Sequence, residues 1–249
     1  MLLAQLSDPH IGADWGLGDP LAGLATTVKA IRSLQPRPDA VMVSGDLADH
    51  GAADEYAQVR ELLAPLDAPT YVLPGNHDDR AALRRAFELP GTGAEPVQYS
   101  VDLDSLRLVV LDSLRPGEDA GSLDSDRLGW LEAELKAGST VPTLIAMHHP
   151  PVPTGLPAWD EIGLQESDRR ALGEVIRAHR QVRRIVAGHV HHAFTSELAG
   201  CPTLTAPSTF VQARLNFAAQ KIELVEDPAG FAVHAVADGR LTSHLQPVA

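Results

Sequence analysis

Apolar residues in this chain come in short runs, and several of those runs end on residues that bind metals. Five of them, LLAQLS, AVMVS, TYVLP, TLIAM and RRIVA, are aliphatic, largely β-branched and of strand length. Each predicts a buried strand of an α/β sheet. The residues that follow are Asp8-Pro9-His10, Gly45-Asp46, Gly75-Asn76-His77-Asp78, His148-His149 and Gly188-His189-Val190-His191. All five clusters therefore fall at the C-terminal ends of strands, the edge where open α/β sheets carry their sites.

Between the runs the spacing turns helical. Leu21, Leu24, Val28 and Ile31 predict a helix over Leu21–Leu34, after the strand Leu2–Leu6. A strand at Ala40–Val43, a helix over Asp54–Leu66, a strand at Thr70–Leu73 and a short helix from Asp79 to Phe87 follow. This order implies parallel strands joined by right-handed crossovers. In the middle, Val97–Leu103 and Leu106–Leu111 form an expected hairpin around Asp104-Ser105. A helix over Ser125–Lys136, capped by Ser122 or Asp124, precedes a strand at Leu144–Met147. A helix over Ser167–His179 and a strand at Ile185–Ala187 repeat the pattern. From 194 to 249 the chain reads as strand-rich, with Phe194–Leu198, Thr203–Ala206, Lys221–Val225 and Phe231–Val236, and residues 1–249 read as one domain. The loop between His149 and Ser167 holds four prolines and is expected to wall the substrate site. The stretch Phe210–Phe217 is expected to cap the pocket or to pair with another subunit.

Composition narrows the function. Hydrophobic residues make up 44% of 249, which fits a chain with a substantial core, and no run approaches a membrane span. A formal net charge of -13 opposes binding of long nucleic acids and of anionic membranes. Cys201 is the only cysteine, so no internal disulfide is possible. No basic segment and longer apolar stretch precede the first strand, so a secretory signal is not expected and the cytoplasm is the expected compartment.

The clusters themselves suit divalent or trivalent first-row metals, manganese, iron or zinc, since carboxylates and imidazoles are present without a thiolate. Asp8 and His10 are two apart, as are His189 and His191, which puts both members on one face if the strand continues or fans them out from its end. Asp46 has two oxygens with which to bridge two ions, and Asn76 offers a neutral carbonyl oxygen. Two divalent ions bring about +4 against roughly −3 from Asp8, Asp46 and a bridging hydroxide. The site then stays positive enough for a phosphate-bearing substrate, and a coordinated water would ionise near neutral pH. His77, next to Asn76, is the candidate general acid for an alkoxide leaving group.

The blocks SDPHIG, SGDLADHG, PGNHDDR, MHHPPVP and AGHVHH, with GSLDSDRLGWLEAEL between the third and fourth, resemble the calcineurin-like metallophosphoesterases, and within them the class III cyclic nucleotide phosphodiesterases. The resemblance implies a fold of two mixed β-sheets packed face to face with helices outside, a four-layer α/β sandwich. It implies one metal on Asp8, His10, Asp46 and His191, a second on Asp46, Asn76, His148 and His189, and His77 as catalytic residue. The implied activity is hydrolysis of a small phosphodiester, with 3′,5′-cAMP as leading substrate. A glycerophosphodiester or a 2′,3′-cyclic nucleotide is the alternative, and a non-catalytic metal-binding scaffold is disfavoured because no ligand is missing. Assembly as a homodimer is a further implication.

Related protein phosphatases read GDxxDRG, and here His50 stands at the arginine, which turns the expectation from phosphomonoesters towards diesters. Pro9 is expected to keep Asp8 extended. His149 is expected to bond backbone or substrate, and His50 and His192 to lie on the rim. Asp49 and Asp78 are candidates either to orient ligand histidines or to cap turns. Asp112 could mark the site rim or a strand-end turn. His179, His234 and His244 read as surface or packing residues.

Overall fold

In the computed structural model, which describes residues 1–248, the first apolar run becomes β1 (Leu2–Leu6), followed by α1 (Pro20–Arg32), β2 (Ala40–Ser44), α2 (Ala53–Leu63), a 3-10 turn (Ala64–Leu66), β3 (Thr70–Leu73) and α3 (Arg80–Phe87). Strands β1, β2 and β3 pair in parallel, as their crossover helices demand. Then come β4 (Tyr99–Leu103), β5 (Leu106–Val110), α4 (Ser125–Ala137), β6 (Thr143–Ala146), α5 (Pro157–Glu161), α6 (Glu166–Ala178) and β7 (Val182–Ala187). The chain continues through β8 (Thr195–Leu198), β9 (Cys201–Thr205), β10 (Gln212–Ala213), β11 (Leu224–Val225), β12 (Gly230–Ala237) and β13 (Arg240–Pro247). Ala249, the last residue of the strand-rich stretch, lies outside the described residues.

Two sheets result. One has the order β13-β12-β1-β2-β3 and the other β4-β5-β6-β7-β9-β8, while β10 and β11 make a small separate ribbon. Strand alternation decides which side chains face which layer. Leu3, Ala40, Met42 and Leu73 of the first sheet share a core with Leu108, Val110, Leu144, Ala146 and Val186 of the second. Their neighbours Ala4, Leu6, Val41 and Val43 pack instead on Leu24, Val28, Tyr56 and Val59 of α1 and α2. Val109, Ile145 and Ile185 likewise pack on Leu131, Leu135, Leu172 and Ile176 of α4 and α6. The layers therefore run helix, sheet, sheet, helix. A one-residue slip in any of these strands would exchange its two faces, so the register is firmly set.

Several local expectations shift. Asp124, not Ser122, caps α4, accepting from the Arg127 N–H at 2.9 Å. Val97 precedes β4 and donates its N–H to Asp112 at 2.7 Å. The proline-rich loop contains α5, and β10 and β13 are additional strands. β13 is an edge strand whose residues are mostly exposed, so it carries no apolar run to announce it.

Asp112 forms the strand-end turn, its carboxylate accepting the N–H two residues on, and it also does more than that. It takes a two-pronged ion pair from Arg80 at the start of α3, at 2.7 and 3.0 Å, and accepts the Val97 and Leu114 N–H groups as well. Both partners are buried, so α3 is tied to the second sheet through a fully hydrogen-bonded charge pair.

Candidate metal centre

The turn after each strand places its ligand-type side chain. Asp8 and His10 follow β1, Asp46 follows β2, and Asn76 and His77 follow β3; His148 follows β6, and His189 and His191 follow β7. The site thus straddles the C-terminal edges of both sheets, where the residue pattern alone had put it on one. Asp8, His10, Asp46, His189 and His191 all have φ between 44° and 71°. A left-handed backbone costs a non-glycine residue about 1–2 kcal/mol, so the surroundings must impose it.

Those surroundings are visible. The Asp8 N–H donates to the Gly45 carbonyl at 3.2 Å, the Asp8 carbonyl accepts from Ser208 Oγ at 2.8 Å, and its carboxylate accepts the His189 N–H at 3.0 Å. These bonds overrule the extended geometry expected from Pro9; Asp8 has φ 52°. Two glycines permit the close approach. A Cβ on Gly45 (φ 97°) would meet the His148 ring, and one on Gly188 would meet Ser7 and the Asp8 carboxylate.

The histidine tautomers follow from their outer partners. His10 Nδ1 donates to the Asp49 carboxylate at 3.1 Å, His191 Nδ1 to the Val211 carbonyl at 2.8 Å, and His148 Nδ1 to the Ser44 carbonyl at 2.9 Å. In the neutral rings of His10 and His191 Nε2 is then a bare lone pair, whereas on His148 it holds a proton that a cation would replace. His10 Nε2 lies 3.0 Å from His191 Nε2 and 3.5 Å from Asp46 Oδ2. His148 Nε2 lies 3.3 Å from Asp46 Oδ2 and 3.1 Å from Asn76 Oδ1, and His189 Nδ1 lies 3.1 Å from the same amide oxygen. Acceptors converge on acceptors, an arrangement that only cations or extra protons relieve. The donor set therefore fits metal ions. Asp46 Oδ2 belongs to both groups, as a shared ligand must.

Electrostatics say the same. Burial, reinforced by Asp46, lifts the Asp8 carboxyl to about 6 against the opposing pull of His148. Burial also works against charge on Asp46 and His148, yet their mutual attraction prevails. It holds Asp46 well below the usual carboxylate range and raises His148 to about 9. Burial keeps His10, His189 and His191 neutral, the last at about 4. His148 thus holds a proton at neutral pH and Asp8 takes one up below about pH 6, where positive charge is needed.

His77 stands at the edge with its side chain 31% exposed. Its N–H donates to Asp46 Oδ1 at 2.9 Å, and its Nδ1 lies 3.0 Å from the Asp49 carbonyl and 3.2 Å from the Asp49 carboxylate. Burial opposes its charge, but the hydrogen bond to Asp49 and the charge of Asp46 outweigh it and lift His77 to about 10. These surroundings favour the imidazolium, whose Nε2–H is left to donate. Asp49 orients both His10 and His77, and those hydrogen bonds hold it below the usual range despite its burial.

Asp78 does a different job. Its carboxylate accepts from Leu47 N, Ala48 N, Gly75 N and the Tyr56 hydroxyl at 2.9–3.2 Å, which clamps the loops after β2 and β3 together. His149 is fully buried and committed. Its Nε2 donates to the Asp119 carbonyl at 3.0 Å and its Nδ1 meets the Ser113 hydroxyl at 2.9 Å, so neither nitrogen is free for a metal although the ring lies beside His148 and His189. His50 is exposed and bound to Glu55 at 2.7 Å. His192 is half-buried and lines a cavity of about 500 Å³ with Pro207, Leu215 and Leu245. His179, His234 and His244 lie away from the cluster, His234 being buried between Gln5 and Ser243.

Sequence reasoning missed the aromatic frame. Trp15 sits 4.5 Å from the His10 ring and 5.3 Å from Phe210. Trp159 of α5 lies 5.6 Å from His189 and 5.9 Å from His191. It is buried against Leu156, Val190 and Ala213, so this part of the proline-rich segment backs the ligand histidines and presents little face to a substrate. A tryptophan five residues beyond His10 was the only signal for the first, while the second lies in the aromatic-bearing loop expected to wall the site, where it backs the histidines instead.

No helix among the described residues is long and apolar enough to cross a membrane. A family model described as calcineurin-like phosphoesterase matches residues 1–193. A glycerophosphodiester phosphodiesterase of Enterobacter lignolyticus is 34% identical, covering 85% of this chain and 78% of that protein. A 3′,5′-cyclic adenosine monophosphate phosphodiesterase of Pseudomonas aeruginosa is 36% identical, covering 85% and 77%. Among solved structures, a dimetal phosphatase from Danio rerio superposes with a TM-score of 0.74 at 18% identity, covering 99% of this chain and 96% of that one, a likeness of fold.

Proposed function

The chain belongs to the calcineurin-like phosphoesterase family, and from that premise and the site geometry we propose that it is a dinuclear-metal phosphodiesterase acting on cyclic nucleotides such as 3′,5′-cAMP. The observation that carries this reading is the convergence of His10 Nε2 and His148 Nε2 on Asp46 Oδ2, with the bare Nε2 of His191 3.0 Å from that of His10. Asp8, His10, Asp46 and His191 would hold one ion, and Asp46, Asn76, His148 and His189 the other. Manganese, iron or zinc suits these ligands. Bound there, the ions would supply Lewis acidity against the phosphoryl oxygens and make a water acidic enough to attack phosphorus near neutral pH.

The chain's own residues do the rest. His77, charged and part-exposed, gives its Nε2 proton to the departing alkoxide as the P–O bond breaks, leaving a phosphomonoester and an alcohol. Asp49 keeps that imidazole charged and aimed. His50, paired with Glu55, adds little net positive charge for a phosphomonoester dianion, which supports diesters as substrates. Relatives named for cyclic nucleotides and for glycerophosphodiesters match almost equally, so a small glycerophosphodiester is the second reading. We place the enzyme in the cytoplasm, where the buried thiol of Cys201 needs no oxidised partner.

The test is initial-rate hydrolysis by manganese-reconstituted protein of cAMP, an aryl diester and an aryl monoester. Turnover of cAMP that is abolished by chelation and strongly reduced in His77→Ala is expected. Hydrolysis of the aryl diester without cAMP would overturn the substrate, and activity on the monoester alone would overturn the diesterase.

A further inference from the structure

Trp15 is half-buried on a loop, Gly12–Asp19, whose glycines 12, 16 and 18 all have positive φ. The loop leaves the site at His10 and folds back over it, with the Ala13 N–H bonded to the His10 carbonyl at 2.9 Å. The indole meets the His10 ring edge-on at 4.5 Å, and its centroid is 6.1 Å from His77 and 6.1 Å from His191. Phe210, buried and 5.3 Å away, braces it, and Gly18 lies against Phe210 where a Cβ would crowd the ring at 3.3 Å. The chain has three tryptophans. Trp159 is spent on packing, whereas Trp15 keeps an accessible part 6.1 Å from His77, a site histidine that is itself part-exposed.

We propose that Trp15 is a specificity-determining wall for the group that leaves past His77. It stacks on the planar ring carried by the departing alcohol, the nucleoside of a cyclic nucleotide or an aryl group, and so favours ring-bearing diesters over purely aliphatic ones. The placement is what argues for this. A proton donated by His77 reaches the leaving oxygen, so a flat aromatic surface next to His77 meets what that oxygen is attached to. A half-buried indole that only shielded His10 would gain nothing from a Phe210 brace or from a loop built on three left-handed glycines. Because it concerns substrate selection at the proposed diesterase site, the inference rests on that reading.

Stacking of a base on an aromatic side chain is worth about 1–3 kcal/mol, or roughly 5- to 150-fold in binding. The experiment compares wild type, Trp15→Leu and Trp15→Phe, manganese-loaded, on cAMP, an aryl diester and a glycerol-based alkyl diester. Metal content is measured alongside. In Trp15→Leu, the kcat/KM ratio of each ring-bearing substrate to the alkyl diester should fall about 10-fold. The change should lie in KM, and Trp15→Phe should restore most of it. Equal losses on all three substrates, or loss of metal, would make Trp15 a support for His10 and overturn the wall. If wild type turns over the aryl diester but not cAMP, the cyclic-nucleotide reading fails. The aryl-to-alkyl ratio in Trp15→Leu then still decides the wall by itself.

Discussion

The loops that carry the ligand residues and the surface that surrounds them are built on opposite principles. The ligand loops are buried, cross-bonded and strained. Five of the proposed ligand residues have left-handed backbones, Asp78 clamps two of the loops with four accepted hydrogen bonds, and outer acceptors fix three imidazole tautomers. The rim around β10 and β11 is the reverse, with strands of two residues each and with Leu215, Phe217 and Ile222 exposed. Chemistry is placed where nothing can move, and contact with the outside is left to segments that few bonds constrain.

The largest effect should come from breaking the rigid part at its shared member. Asp46→Ala should cut kcat/KM by more than about 10³-fold, well beyond the roughly 10- to 100-fold typical of a residue that only supports a ligand. Steady-state kinetics at saturating manganese checks this. Next in size is a purely architectural lesion. Asp112→Ala leaves Arg80 buried without its partner and should cost about 3–5 kcal/mol in urea unfolding. The folded fraction should retain its turnover number, since neither residue reaches the metal ligands.

Asp49→Asn tests whether the outer partners matter as claimed. It keeps the shape, removes the charge that favours the His77 imidazolium, and should cost about 10- to 100-fold. His77 should then lose its proton at lower pH, moving the basic limb of the kcat profile downward. Metal binding gives a further check on the cluster's charge. In the metal-free protein Asp8, at about 6, and His148, at about 9, take up protons that the ions must displace. Affinity should accordingly rise with pH, by about tenfold per unit for each proton released, and level off above about pH 9. Calorimetry in buffers of different ionisation enthalpy counts those protons. The smallest effect belongs to the rim. Phe217→Ser, at a side chain 66% exposed, should change stability by less than about 0.5 kcal/mol and cAMP turnover by less than about twofold.

Much of this was legible in the sequence because strand period and ligand chemistry coincide at the same places. Runs such as AVMVS and TLIAM had to be buried strands, and each hands the chain to an aspartate or histidine at the same edge. The assignment of five runs to two sheets was not legible from the runs themselves, since β2 and β6 look alike although they belong to different sheets. The resemblance implied two sheets without saying which run belongs to which. What escaped depends on contacts between distant residues. Asp112 pairs with Arg80, thirty-two positions away, and Trp15 gains its meaning from Phe210. The backbone of Asp8 went against the local preference set by Pro9 because three tertiary hydrogen bonds outweigh it. The edge strand β13 lacked a signal because only one of its faces packs, and weakly.

The most direct test of the central claim, two ions sharing Asp46, is the number of manganese ions bound per chain after chelation and reconstitution, measured by elemental analysis. Two per chain are expected for the wild type, and about one for Asn76→Ala, which keeps the ligands of the other ion. A wild-type plateau at one, or two ions retained at full strength in Asp46→Ala, would contradict the shared-carboxylate centre.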